Sequence, residues 1–370
     1  MLYNIECILK KIIIIDWLDK YGGAERVIKS MHEVLNFDEA YTLVNIMKNK
    51  DLKSIFPNQG FNINTTFLQK FGIKFRYFFL CFWSKINSIK IDENTDLIIS
   101  SSHAVSKGIN KSNPSQIHIS YFQAPNSNFI WDEAPLYFGR LYPVAQHFLG
   151  YLRKLDVKQS KNPDYIIANS KFVQNWVKEK YNRESTVIYP PINLSKFSLK
   201  TKKQDYYVAV GRIVQIKRFD IIIEAFNANK KKLIIIGSGD LLDKLKKTAN
   251  NNIEFKGFLD TEEINEIIGN AKGFIQAGIE GFGIAPLEAQ ACGTPVIAFR
   301  KGGSIEVVVE GETGVFFDNQ NAISLNNALE VFEKQSFDPL HISKHAHQFT
   351  EERFKKEFLD FVNEKCSKRI

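Results

Sequence analysis

The sequence predicts an α/β protein with two parallel-sheet domains, and three observations carry that expectation. Short apolar runs alternate with helical patterns along the chain, and such alternation builds α/β layers. The runs are continuously apolar, which marks strands buried on both faces of a parallel sheet. A chain of 370 residues is long enough for two cores. The pair Pro190-Pro191, within 187–197, stops regular structure near the middle and stiffens a linker there.

In chain order, strands are expected at Lys11–Asp16, Asp96–Ser102, Gln116–Phe122 and Asp164–Ser170, then at Tyr206–Gly211, Lys232–Gly239, Ile253–Phe258, Gly273–Gly278 and Thr294–Phe299. After the first strand, Ala24, Val27, Ile28, Met31, Val34 and Leu35 follow the spacing of one apolar helix face. The turn at Gly22-Gly23 starts that helix. The stretch Ile342–Ile370 reads as one or two charged helices. Two open sheets joined by a hinge would offer one ligand site, the cleft where strand carboxyl ends of both domains meet.

Composition is that of an ordinary globular protein, with 44% hydrophobic and 24% charged residues. Cys7, Cys81, Cys292 and Cys366 are far apart in the chain and read as reduced thiols of a cytosolic protein. No apolar run approaches the roughly 20 residues that span a bilayer. Ile12–Ile15 leads directly to Asp16 and reads as a first strand rather than a signal peptide. The net charge of +8 is uneven: residues 1–186 carry 24 basic against 17 acidic side chains, and residues 187–370 carry 25 against 24. The excess is densest in Phe67–Lys90, which is rich in aromatics and holds five basic residues and no acid. That pattern suits an interfacial segment on anionic lipid. It equally suits a core helix with snorkelling lysines. Nothing else in the chain points to nucleic acid.

The richest chemistry lies in Glu280–Pro295. Glu280 and Glu288 flank a Gly-rich turn that opens a short helix. Pro286 fits the first helical position and Gly293 the position just past the end, so Glu280 hangs from a loop and Glu288 sits in the first turn. The amides near Gly283 and Ile284 form an anion site at the helix start. A carboxylate on each side can accept hydrogen bonds from sugar hydroxyls. A phosphate held between two hydroxyl-rich groups describes a nucleotide sugar.

Four other motifs follow predicted strands. In Gly211–Asp220, Arg212 as a planar fork and Lys217 as a mobile charge can reach one anion; a solvated basic loop is the plainer reading. Gly237–Leu245 is a Gly-rich turn without the third glycine of a dinucleotide fingerprint, so it suits a mononucleotide site better than NAD. Gly22 and Gly23 let backbone approach a ligand, or form an ordinary β–α turn. His103 follows the strand ending at Ser102, where ligand contact competes with a structural role. There is no Asp-x-Asp pair for a metal-bound pyrophosphate, so the diphosphate charge would fall to Arg212, Lys217 and helix N-termini. No Ser/His/Asp set, Walker loop or zinc spacing occurs.

The order GGAERV, SSSHAVSKG, ANSKFV, VIYPPIN, GRIVQIKRFD, EGFGIAPLEAQACGTPVIAF and KGGSIEVV resembles retaining glycosyltransferases of family four with the GT-B fold. It is most similar to bacterial mannosyltransferases of O-antigen and other surface polysaccharides. The likeness spans about residues 11–335. It implies an acceptor-binding Rossmann-like domain over 1–190, a nucleotide-sugar-binding one over 191–345, and a helical tail over 346–370 that packs back on the first. It implies that Arg212 and Lys217 hold the diphosphate, Glu288 the ribose hydroxyls and Glu280 the hydroxyls of the transferred sugar. The amides of Gly281, Phe282, Gly283 and Ile284 would touch the distal phosphate, beside Gly237. Gly22 and Gly23 would approach the diphosphate, His103 the donor sugar, and the backbone at Phe258 and Leu259 the base. Transfer would proceed with retention, without metal or other cofactor, from GDP-mannose to a lipid-linked saccharide, on the inner face of the cell membrane. Residues 67–90 would meet the anionic surface. The family usually carries His-Thr-Pro where this chain has Gln123-Ala124-Pro125, while Trp131 and Asp132 are retained on the acceptor side. Gln123 cannot titrate near neutral pH. Rival readings are a UDP-sugar donor, a nucleotide-sugar epimerase, or an idle saccharide-binding partner.

Overall fold

The structure, a computed structural model, describes residues 10–367, so Cys7 lies outside the described residues. The chain divides into two units. One holds the residues up to Pro191 together with those from Glu351 on, and the other holds Ile192–Thr350.

The first unit is built on seven parallel strands in the order β3-β2-β1-β4-β5-β6-β7. These are β1 (Lys11–Ile15), β2 (Glu39–Thr42), β3 (Asn62–Thr65), β4 (Leu97–Ser102), β5 (Ile117–Phe122), β6 (Tyr165–Ala168) and β7 (Thr186–Val187). Ile12–Ile15 are at most 2% exposed, as a strand covered on both faces requires. The strands β2, β3 and β7 were not expected. Asn-Ile-Asn-Thr of β3 has no apolar run to announce it; it is a strand because Glu39↔Asn62 through Thr42↔Thr65 pair in register at the sheet edge. The chain steps outward from β1 to β3, then returns to the other side of β1 with β4. The order therefore reverses between β1 and β4, where open α/β sheets place their ligands.

The helix Gly23–Leu35 buries Val27, Ile28, Met31 and Leu35 on the expected face and ends at Asn36 with φ 49°. The final helix, Glu351–Ser367, lays Phe354, Phe358, Phe361 and Val362 into the same core. Lys355 pairs with Glu33 at 2.6 Å and Ser30 Oγ donates to Glu351 at 3.1 Å. Phe67–Cys81 forms tight helical turns interrupted at Gly72, where φ is 49°. The packing of this stretch bears on the core reading alone. Leu68, Phe75, Phe82 and Trp83 enter the core, while Ile73 and Tyr77 are 77% and 82% exposed.

The second unit has six parallel strands in the order β10-β9-β8-β11-β12-β13. They are β8 (Gln204–Val210), β9 (Leu233–Ile236), β10 (Ile253–Gly257), β11 (Ala271–Gln276), β12 (Val296–Phe299) and β13 (Gly314–Phe317). Only β13 was not expected; its sequence is Gly-Val-Phe-Phe, in which glycine shortens the apolar run. Here the order reverses between β8 and β11. Cys81 and Cys292 are free thiols, and burial pushes the Cys292 thiol up to about 12.

Candidate active site

In the second unit the loops after β8 and β11 flank the reversal point. The loop after β8 turns tightly, Val214 N–H donating to the Arg212 carbonyl at 2.9 Å and Lys217 N–H to the Val214 carbonyl at 3.1 Å. It closes at Arg218 in the left-handed region, φ 55°, whose guanidinium grips Asp220 at 2.9 Å and Gln320 at 3.0 Å. Gln320 in turn donates to the Ala277 carbonyl at 2.9 Å, in the loop after β11. The two loops also touch directly: a Cβ on Gly278 would lie 2.7 Å from the Ile216 carbonyl oxygen.

This packing joins three of the expected residues. Lys217 Nζ pairs with Glu280, whose side chain is 22% exposed. Gln276, at the end of β11, donates to the same carboxylate oxygen at 3.1 Å. Burial opposes ionisation of Glu280, yet the charge and hydrogen bond of Lys217, the Gln276 amide and the nearby Arg212 outweigh it and lower its pKa below the usual 4.5. Arg212 itself is exposed. The Glu280 backbone is clipped in turn, bridging to Gly302 and accepting from Gly303 N–H at 2.8 Å. A Cβ on Gly303 would sit 2.2 Å from the Phe282 carbonyl oxygen.

The helix after this loop runs Ile284–Ala291, capped by Gly283 at φ 119°. It starts earlier than expected. Pro286 is its third residue, and Glu288 its fifth, in the second turn rather than the first. Proline is tolerated there because the first four helical amides lack an intrahelical acceptor in any case. Glu288 is 8% exposed. The helix ends as expected, with Gly293 at φ 72° just beyond Cys292. Gly281, Phe282, Gly283 and Ile284 form the turn between the carboxylates, with the Phe282 ring 5.5 Å from that of Phe349.

Gly237 is a glycine for a structural reason, since its Cβ would lie 1.9 Å from the Gly211 carbonyl oxygen. Its N–H donates to the Gly257 carbonyl at 2.7 Å. That contact draws the loops after β8, β9 and β10 together and leaves Phe258, 84% exposed, beside Leu259 at the end of β10.

In the first unit, the loops after β1 and β4 flank the reversal point and are tied by a residue the motif reading passed over. The Asp16 carboxylate, fully buried, accepts the backbone N–H groups of His103 (2.6 Å), Ala104 (2.9 Å), Val105 (2.6 Å) and Ser106 (2.6 Å). His103 lies with Nδ1 3.1 Å from Asp16 and its ring edge-on to Trp17; its side chain is 34% exposed. The signal was available, because a charged residue ends an otherwise apolar run at Asp16. Gly22 N–H already donates to Glu25 at 2.9 Å, so the start at Gly22-Gly23 carries an internal carboxylate. Gln123, just past β5, donates to Ser101 Oγ at 3.0 Å.

Trp131 and Asp132 belong to another cluster. A fully buried pair, Lys107 and Asp156 at 2.7 Å, forms its centre. Asp156 also accepts from Trp83 Nε1 (3.2 Å), Ser127 Oγ (3.1 Å), Trp131 Nε1 (2.9 Å) and Tyr181 Oη (2.5 Å). Asp132 accepts from Trp176 Nε1 at 2.9 Å. A buried pair with this many hydrogen bonds satisfies its charges internally, and the Trp131 indole is one of its donors.

The architecture is GT-B, two parallel-sheet α/β domains, and solved structures share it. Anabaena HepE in complex with UDP and glucose superposes with a TM-score of 0.68 at 15% identity, over 95% of this chain and 99% of that one. A sucrose-phosphate synthase from Thermosynechococcus elongatus gives 0.67 at 16% identity, over 97% and 99%. Residues 192–355, which include the whole second unit, match the family described as Glycosyl transferases group 1. An uncharacterized glycosyltransferase of Methanocaldococcus jannaschii is 28% identical over 52% of this chain and 55% of its own length. The O-antigen chain mannosyltransferase of Salmonella typhimurium is 27% identical over 52% and 57%. A GDP-mannose-dependent alpha-(1-6)-phosphatidylinositol monomannoside mannosyltransferase of Mycolicibacterium smegmatis is 31% identical over 33% and 37%. The chain thus spans about half the length, or less, of the curated relatives it matches.

Proposed function

We propose that the protein is a hexosyltransferase that moves mannose from GDP-mannose to a lipid-linked saccharide in surface-polysaccharide synthesis, on the cytoplasmic side of a membrane. The observation that carries this is the convergence of Arg212, Lys217 and Glu280 at the reversal point of the second sheet, inside the segment that matches Glycosyl transferases group 1. The mannosyltransferase relatives favour the sugar.

The arrangement suits a charged leaving group. An arriving diphosphate competes with Glu280 for Lys217 and gains the Arg212 fork beside it. Glu280, freed from Lys217 but still held by Gln276, then accepts from the sugar hydroxyls. Glu288 takes the ribose hydroxyls, the amides at Gly281–Ile284 the distal phosphate, the backbone at Phe258 and Leu259 the base, and His103 the donor sugar. Gly22, Gly23 and Gln123 line the first unit's share of the chemistry. The bond from the sugar's anomeric carbon to the diphosphate breaks and one to the acceptor oxygen forms on the same face. The acceptor proton passes to the leaving phosphate, without a metal.

A UDP-sugar donor is the second reading, favoured by HepE, solved with UDP-glucose. The test is turnover of GDP-mannose and UDP-sugars by the purified protein, with and without a lipid-linked acceptor and with EDTA. The proposal expects acceptor-dependent release of GDP that survives EDTA. Exclusive use of a UDP-sugar overturns the donor, and product without acceptor indicates an epimerase.

A further inference from the structure

We propose that two segments of the first unit, Phe67–Leu80 and Leu141–Tyr151, form one face that seats the protein on an anionic lipid surface. The first was legible as an aromatic, basic stretch. The second carries no motif that the sequence singles out.

In the helix Tyr142–Gln159 the inward side is filled by Leu149, Leu152, Asp156 and Gln159. The outward side carries Val144, Phe148 and Tyr151, spaced four and three residues apart, with Leu141 one turn before; Leu141 and Val144 are 70% and 76% exposed. A helix on a globular surface puts polar residues on that side, and a contiguous apolar face marks an interaction site. Beneath it the segments share one wall, since the Phe79 ring lies 6.4 Å from that of Phe138 and 6.0 Å from that of Phe129. Above that wall Ile73, Tyr77 and Leu80 of the first segment are exposed as well.

Charge identifies the occupant. Residues 67–90 and 134–155 hold no Asp or Glu, and Lys70, Lys74, Arg140 and Lys154 are exposed around the apolar side chains. Arg76 is already committed to Asp19 at 2.6 Å. Apolar and aromatic side chains rimmed by unpaired cations suit the interface of an anionic bilayer. A two-fold contact between copies would set the same cationic rims against each other. Among the described residues no helix is long and apolar enough to cross a membrane, so the face lies on the surface. Such seating would serve the proposed transferase reading by meeting a lipid-linked acceptor, but binding itself requires neither donor nor acceptor.

The test is co-sedimentation of the full chain with phosphatidylcholine vesicles, with and without phosphatidylglycerol. The variants are Val144→Ser with Phe148→Ser, and Lys70→Gln with Lys74→Gln. The wild type should bind the anionic vesicles and release at high salt. Each pair of substitutions should weaken binding roughly tenfold while circular dichroism stays unchanged. No preference of the wild type for anionic vesicles overturns the proposal, as does wild-type binding by both variants. So does sedimentation equilibrium showing a dimer that Val144→Ser with Phe148→Ser dissociates. A wild type that binds vesicles but turns over no nucleotide sugar would sink the transferase reading alone.

Discussion

The two sheets reverse their strand order in the same way, yet the loops at the two reversal points are stabilised differently. After β1 and β4, the buried Asp16 carboxylate takes four backbone N–H groups and locks the loop that carries His103. After β8 and β11, the carboxylate is Glu280, partly exposed and paired with the partly exposed Lys217. The first arrangement is closed, because backbone donors cannot leave. The second can be exchanged, because Lys217 is a mobile side chain that another anion can attract. One point is held by backbone donors and the other by a pair of partly exposed side chains.

The largest expected effect tests the first of these. Asp16→Ala leaves four buried donors unsatisfied and should destabilise the first unit by about 3 kcal/mol or more. Urea unfolding would show it, and a loss under about 1 kcal/mol would mean water replaces the carboxylate. Next, Glu280→Gln should cut turnover about 100-fold while the melting temperature moves little. A large drop in melting temperature instead would make Glu280 a structural residue like Asp16.

Two glycines extend the contrast. Gly237→Ala forces a Cβ onto the Gly211 carbonyl and should cost about 2 kcal/mol. At Gly22, a Cβ meets only the Glu25 side chain, at 3.4 Å, so Gly22→Ala should cost under about 1 kcal/mol. Equal losses would contradict the packing described. Arg212→Ala, at an exposed position, should weaken GDP-mannose binding about tenfold, read by calorimetry, without a change in stability.

The last effect is in pH. Burial, more than any neighbouring charge, lowers the pKa of His118 to about 3. Between the ordinary 6.5 and that value the unfolded chain binds a proton that the folded chain refuses. Stability is therefore full above about pH 6.5 and falls as pH drops toward 3, by about 1.4 kcal/mol per pH unit at most. In His118→Gln the drop between pH 7 and pH 5 should be shallower; an identical drop would place the acid sensitivity elsewhere.

Much of this was legible. Nine strands announced themselves as apolar runs, because a strand covered on both faces has no room for polar side chains. That Arg212, Lys217 and Glu280 stand near one another was legible because each follows a strand end, where parallel sheets expose their loops. Less legible were β3, whose Asn-Ile-Asn-Thr owes its conformation to β2, and Glu288, displaced by one turn because the helix begins ahead of Pro286. Nor did the sequence announce that the Trp131 indole donates to the buried Asp156. Gly237 read as part of a Gly-rich turn, and only the fold shows that its missing side chain makes way for the Gly211 carbonyl.

By itself, then, the sequence determined the α/β class, most strands, and which charged side chains stand at strand ends, since periodicity and residue type are local properties. Tertiary structure decided partners. That Asp16 binds a loop about ninety residues away, that Lys217 rests on Glu280, and that Val144 and Phe148 face outward all depend on which surfaces neighbouring elements cover. An apolar stripe has the same spacing whether it is buried or bare, and only the packing around it distinguishes a core from a surface awaiting a partner.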